Sequence, residues 1–572
     1  MSTHDPDRRR LLMSTAGLAA LPLAGAVTGD ATPMSSEADS VPDRDTPADA
    51  EITPAIIAAA ERLAGIEFTE AERTMIAATV AAQIDLFATR VDAGAMPNEL
   101  APALVFRALP PGRALDLATS TGDPDRLPTA PGPLPAEDEA IAFATVERLA
   151  GWMRRGDLTS ERLTRIYLDR IERLDPKLEC MITVTAERAL EQARRADADR
   201  RAGIDHGPLQ GVPYGAKDII DVEGIRATWG ATPFKDRVGT TTATVIEKLD
   251  AAGAVMLGKT AVGALAYGDI WFGGRTNNPW NLEQGSSGSS AGSASGTVGG
   301  LMAFALGTET LGSIVSPSMR CGATGLRPTF GRVSRAGAMS LCWSLDKIGP
   351  ICRSVNDTGI VLDAINGFDP RDASSVGVPF AHDPAEGVSG LRIGWNPSWF
   401  ERANPADRLA VDHLRDAGCE LVEVELPELP YDALLLTLYA EAAAAFESLT
   451  RSNEDDTLKW QAPQAWPNSF RKAWFIPAVE AVQADRVRRQ AMDMMADVMD
   501  RVDALVTPAF AANLLLITNA TGHPTLVQPI SFDDGRPHGL TLIGRLFDEG
   551  TLLRLGRELE RRFDVVDRHP EL

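Results

Sequence analysis

The sequence predicts an α/β protein in which a mixed β-sheet is covered by helices, preceded by a small helical extension. Short apolar runs, "AVMLGK" (254–259), "LRIGW" (391–395), "ALVTPAF" (504–510) and "GLTLIG" (539–544), alternate with helical patterns such as "ERALEQARRADADRR" (187–201) and "EGTLLRLGRELERR" (549–562). That alternation is the signature of strands packed between helices. The 572 residues, 44% hydrophobic and 24% charged, can bury a large core. No repeat at a fixed period interrupts the pattern.

The elements follow in order. Arg8, Arg9 and Arg10 precede an apolar run of about fifteen residues ending in small residues, short of the roughly 20 a membrane-crossing helix needs. Residues 1–28 therefore read as a twin-arginine export signal, with an exported location and no stable membrane insertion. Residues 29–50 are acidic, rich in Pro, Ser and Thr, and read as a disordered linker. Helical spacing in "AIIAAAERLAGI" and "TMIAATVAAQIDLFATRV" makes 51–112 a helical extension. We expect it to pack on the body; a role in a homodimer is left open. A Pro/Gly-rich stretch over 113–137 separates it from the body at 138–568. The body opens on an amphipathic helix with Leu163, Ile166, Tyr167, Ile171 and Leu174 on one face, capped by Thr159 or Ser160 and stopped at Pro176.

The charge balance excludes some classes. The 56 Lys and Arg against 79 Asp and Glu give −23, with no basic stripe, which argues against nucleic-acid partners and anionic membranes. The five Cys are odd in number and form no CxxC pair, so they read as buried thiols. No HExxH or paired His/Asp arrangement signals a metal or a Ser–His–Asp triad, and His523 reads as a core or turn histidine.

Residues 285–296, "GSSGSSAGSASG", hold ten Gly and Ser in twelve positions. The apolar sequence that follows places them inside the fold rather than in a linker. Neither GxxxxGK[ST] nor GxGxxG is present in this stretch and no Lys follows it, which argues against a phosphate cradle here.

With "GVPYGAKDIIDVEG" (211–224), the run from 285 to 317, "CGATGLRPTFGRVSRAGAMSLCWSLDKIGP" (321–350) and "TGHPTLVQPISFDDGRPHGLTLIGR" (521–545), this segment resembles the amidase signature family of serine hydrolases. The resemblance implies one large twisted mixed sheet with helices on both faces. It also implies amide cleavage by a Ser–Ser–Lys triad whose middle serine follows a cis peptide bond. Its motifs place the lysine at Lys217, the nucleophile at Ser313 and the middle serine at Ser289, whose spacing to Ser313 follows the family without a gap. Ser286 is the reserve register, and Ser290 and Gly288 are supporting residues. The oxyanion hole falls on the backbone N–H groups of Thr310, Leu311, Gly312 and Ser313.

These residue types suit the chemistry. A serine hydroxyl is a poor nucleophile until a base accepts its proton, and a lysine is that base only when burial keeps it neutral. Lys217 lies in a compact, mostly apolar run. No metal or organic cofactor is implied. Three positions depart from the family: Glu309 for Asp, Leu311 for Gly and Val315 for Arg. Val315 and Arg320 are therefore substrate-pocket candidates, and the substrate is a small-molecule or peptidic amide of unassigned identity. Two alternatives stand beside the amidase: an amidotransferase component releasing ammonia from glutamine, and an inactive binding protein with the same fold. Lys259 reads as structural or solvated, and Asp218 as a loop-orienting or turn residue.

Overall fold

Strands buried on both faces must carry apolar side chains at consecutive positions, and four strands of this chain do. The computed structural model describes residues 52–92, 94, 96–113, 115, 131–383, 386–533 and 535–572. The expected export signal and acidic linker, and residues 116–130 of the second linker, lie outside the described residues.

The strands run β1 (Met181–Val184), β2 (Pro213–Lys217), β3 (Val255–Thr260), β4 (Ile270–Trp271), β5 (Gly274–Arg275), β6 (Asn277–Asn278), β7 (Asn281–Gly285) and β8 (Phe304–Glu309). After them come β9 (Thr324–Arg327), β10 (Lys347–Cys352), β11 (Arg392–Trp395), β12 (Glu420–Glu423), β13 (Ala504–Pro508), β14 (Thr525–Asp533) and β15 (Arg536–Gly544). Eleven form one sheet in the order β1-β3-β2-β8-β10-β9-β14-β15-β13-β11-β12; β4 with β5 and β6 with β7 make two small ribbons. The sheet is mixed: β2 runs parallel to β3 and β8, whereas β10 is antiparallel to β8. Every residue of β2, β3, β8 and β10 is buried.

The helix Ser160–Leu178 buries all five residues of its expected face. Thr159 is the cap, its Oγ1 accepting from the Arg162 N–H at 3.2 Å. Pro176 does not stop this helix, contrary to expectation: the turn continues to Leu178 and ends at Glu179, whose φ is 51°. In the last turn a proline forfeits a single hydrogen bond, and the buried Ile171, Leu174 and Leu178 hold the turn in place.

The extension is helical over α1 (Pro54–Ala64) and α2 (Glu70–Asp92), joined by a fork in which Arg73 Nε and Nη2 each lie 2.8 Å from Glu61. Residues 96–113 are a strap without helix, which shortens the predicted helical segment; its proline pair and lack of a sustained 3.6-residue period explain that. The strap lies on the body: Phe106 packs against Phe330 at 5.0 Å between ring centroids, and Arg113 Nη1 lies 2.6 Å from Asp500. The end of the second linker is also anchored, since the Trp152 indole donates to the Gly132 carbonyl at 2.8 Å. All five cysteines are free and buried. Among the described residues no helix is long and apolar enough to cross a membrane.

Candidate active site

Parallel strands bring their C-terminal ends to one side of a sheet, where ligand sites of α/β folds gather. Lys217 is the last residue of β2, and Thr308 and Glu309 close the neighbouring parallel strand β8. The Ser/Gly-rich stretch supplies the third component. It turns through Ser287, with φ 62°, and a cis peptide between Gly288 and Ser289, then enters the buried helix Ala291–Val298. Gly288 has no substitute here, because a Cβ would stand 1.9 Å from the Gly268 carbonyl oxygen.

These segments converge on the Lys217 amine. Nζ lies 2.8 Å from Ser289 Oγ, 3.0 Å from Ser290 Oγ, 2.8 Å from Thr308 Oγ1 and 3.3 Å from the Thr308 carbonyl. Lys217, Ser289 and Ser290 are completely buried. Desolvation pushes the Lys217 amine well below its ordinary value near 10.5, and the Asp346 and Glu309 carboxylates pull the other way without restoring it. A neutral amine has two N–H donors and one lone pair. Ser290 Oγ already donates to the Thr308 carbonyl at 3.1 Å, so it can only accept from Lys217. The lone pair is then available to a proton from Ser289.

Ser313 lies in the turn between β8 and the helix Val315–Cys321; it is 7% exposed, and its carbonyl accepts from the Ser290 N–H at 3.1 Å. Among the described residues no backbone carbonyl accepts from the N–H groups of Leu311, Gly312 or Ser313. Thr310 is fixed by its side chain, which donates to Asp346 Oδ1 at 2.6 Å. The next two donors are taken: Glu309 Oε2 accepts from the Ile314 and Val315 N–H groups at 2.8 and 2.9 Å. This carboxylate is in turn held by Arg327 at 2.6 Å and by Asn519 at 2.8 Å.

The other sequence candidates are distributed as follows. Ser286 lies outside the Lys217 cluster and donates to the Ser287 carbonyl at 2.9 Å. Val315 is buried, and Leu311 is partly buried against the main core. Arg320 is half-buried, with Nη1 at 3.5 Å from Gln284 Oε1. Lys259 is buried 3.3 Å from Asp218, whose other oxygen accepts from the Thr228 N–H at 2.8 Å. His523 is buried and shares a 2.8 Å hydrogen bond with Thr521; burial lowers its pKa to about 3. Sequence reasoning missed Thr308 and Asp346. Thr308 precedes Glu309 in the nucleophile segment, so its place at the strand end was a usable signal, whereas nothing local connects Asp346 to Thr310.

This chain belongs to the amidase signature family: the Amidase family model matches residues 162–518. It is an amidase-family enzyme, a hydrolase by class. It is 36% identical to the A-type component of the glutamyl-tRNA(Gln) amidotransferase of Roseiflexus sp. (strain RS-1), over 73% of this chain and 96% of that protein. The structure of native peptide amidase from Stenotrophomonas maltophilia matches with a TM-score of 0.65 and 30% identity, over 74% of this chain and 97% of that one. A bacterial aryl acylamidase of the same family, 22% identical, shares the fold with a TM-score of 0.67 over 75% of this chain and 99% of that one.

Proposed function

We propose that the protein hydrolyses a small-molecule or peptidic amide through an acyl-enzyme on Ser313. The observation that carries this reading is the completely buried Lys217 amine, 2.8 Å from Ser289 Oγ. Ser313 Oγ attacks the amide carbonyl as its proton passes to Ser289, whose own proton passes to Lys217. The carbonyl oxygen, now negative, is held by the backbone N–H groups of Thr310, Leu311, Gly312 and Ser313; loss of one such donor typically costs about 100- to 1000-fold in rate. Lys217 returns the proton through Ser289 to the departing amine. Water then attacks the ester by the same relay and releases the acid.

The test is a fluorophosphonate serine probe with peptide mapping of the adduct. Adduct on Ser313, absent in Ser313→Ala and slowed in Lys217→Ala, is the expected result. Well-folded protein that takes no label at Ser313 overturns the assignment.

The likeness to amidotransferase A-type components supports a second reading, no better than the first, in which the chain is the ammonia-releasing component of an amidotransferase. Glutaminase activity that requires a copurifying partner and tRNA would establish it; amide hydrolysis by the isolated chain establishes the first. The arginine run and apolar segment at 7–29 support export in folded form, tested by whether precursor processing and periplasmic recovery require Arg8 and Arg9.

A further inference from the structure

The strap at 96–113 precedes the segment that the family model matches, yet it touches the loop that steadies the nucleophile turn. Asn98 pairs with Ser340 in both directions: its Oδ1 accepts from the Ser340 N–H at 2.7 Å and its Nδ2 donates to the Ser340 carbonyl at 2.9 Å. The Trp343 indole donates to the Asn98 carbonyl at 3.1 Å. Between Ser340 and Trp343, the N–H groups of Leu341 and Cys342 donate to Asp346 Oδ2 at 2.8 and 3.0 Å, and Asp346 Oδ1 is the acceptor for Thr310. A second anchor grips the same loop. The Phe106 ring lies 3.4 Å from the Arg488 guanidinium, which donates to the Ser344 carbonyl at 2.7 Å and to Ser344 Oγ at 2.9 Å.

We infer that Asn98 is a positioning residue for catalysis, acting through the 340–346 loop and Asp346 on Thr310 and the N–H groups that follow it. The inference rests on the reading of Ser313 as nucleophile. Asn98 replaces solvent on both the donor and the acceptor of Ser340, which fixes the loop without adding a group to the reaction. Its removal misplaces Thr310 by a fraction of an ångström, and errors of about 1 Å at a reacting centre cost roughly 100-fold.

The experiment measures saturable fluorophosphonate labelling of Ser313 in the full chain, separating the limiting rate from the apparent affinity. Asn98→Ala is expected to lower the limiting rate about tenfold with affinity within about twofold of wild type. Thr310→Val cuts the same link at its other end. If Asn98 acts through Thr310, the double variant is no slower than the slower single variant; a multiplicative loss overturns the inference. Phe106→Leu, which keeps the apolar contact and loses the ring under Arg488, is expected to lower the limiting rate in the same direction, so the test survives an Asn98 variant that does not fold. Wild-type labelling rates in both strap variants overturn the inference while leaving Ser313 as nucleophile. Wild-type protein without label at Ser313 overturns both.

Discussion

Glu309 at the end of β8 and Arg327 at the end of β9, both inaccessible to solvent, face each other at 2.6 Å past the intervening strand β10. The surrounding fold holds both: Arg327 Nη2 donates to Thr518, the His523 carbonyl and Thr525, while Arg327 Nε has no hydrogen-bond partner among the described residues, and Glu309 receives the two N–H groups that open the helix after Ser313. The pair therefore ties the turn that carries Ser313 to the C-terminal third of the chain.

Breaking this pair leaves a charge buried without a partner. Arg327→Leu is expected to cost about 3–5 kcal/mol, read from urea unfolding. Desolvation opposes the Glu309 charge, but Arg327 and the Val315 N–H outweigh it and hold the carboxyl at about 2. The folded value lies below the ordinary 4.5, so its contribution is complete above about 4.5 and is lost as pH falls toward 2. Acid titration of the variant should lack that component.

The pH dependence of Ser313 labelling should show an ascending limb well below 10.5, because burial lowers Lys217 and only the neutral amine accepts a proton. Lys217→Met should remove the limb and slow labelling by at least about 100-fold. A limb of wild-type position in that variant would assign the titration to another group.

A second pH effect belongs to stability. Burial raises Asp357, whose carboxylate accepts from the N–H groups of Val146 and Glu147, to about 6, and burial raises Glu560 beside it to about 8. Both folded values lie above the unfolded ones. Their contribution is complete below about 4 and is lost as pH rises toward 8. Glu560→Gln should equal wild type near pH 4 and exceed it at pH 9, measured as the difference in denaturation midpoint.

Gly288→Ala drives a methyl into the Gly268 carbonyl at 1.9 Å, a clash of a Cβ with backbone that no rotamer relieves. The expected result is loss of about 1–3 kcal/mol together with loss of Ser313 labelling. Ala291→Gly, one turn away, should keep most of the labelling.

Much of this arrangement was legible in the residues. Lys217, Ser289 and Ser313 stand in contiguous motifs, and the amphipathic face of the helix Ser160–Leu178 is periodic enough to read directly. The end of that helix was misplaced because a proline rule knows nothing of the packing that carries Leu178 onward. The part played by Asp346 and the particular partners of the 96–113 strap were invisible for a different reason: those partners are Thr310 and the 340–346 loop, and hydrogen bonds between segments far apart in sequence leave no local pattern.

The helix Ala291–Val298 is built from Ala, Gly, Ser, Thr and a single Val, letters that a complexity filter would discard as filler. Yet a methyl on Gly292 would stand 2.1 Å from the Cys180 carbonyl and 2.4 Å from the Ala261 nitrogen, and Ser293 is bonded to Thr260 and the Leu306 carbonyl. The most monotonous stretch of the chain is thus among its least replaceable: each small residue sets how closely the serines ride on the sheet. A library randomised across 285–298 should return fewer active clones than one of equal size across α2, whose exposed Met75, Leu86 and Phe87 look the more distinctive on paper.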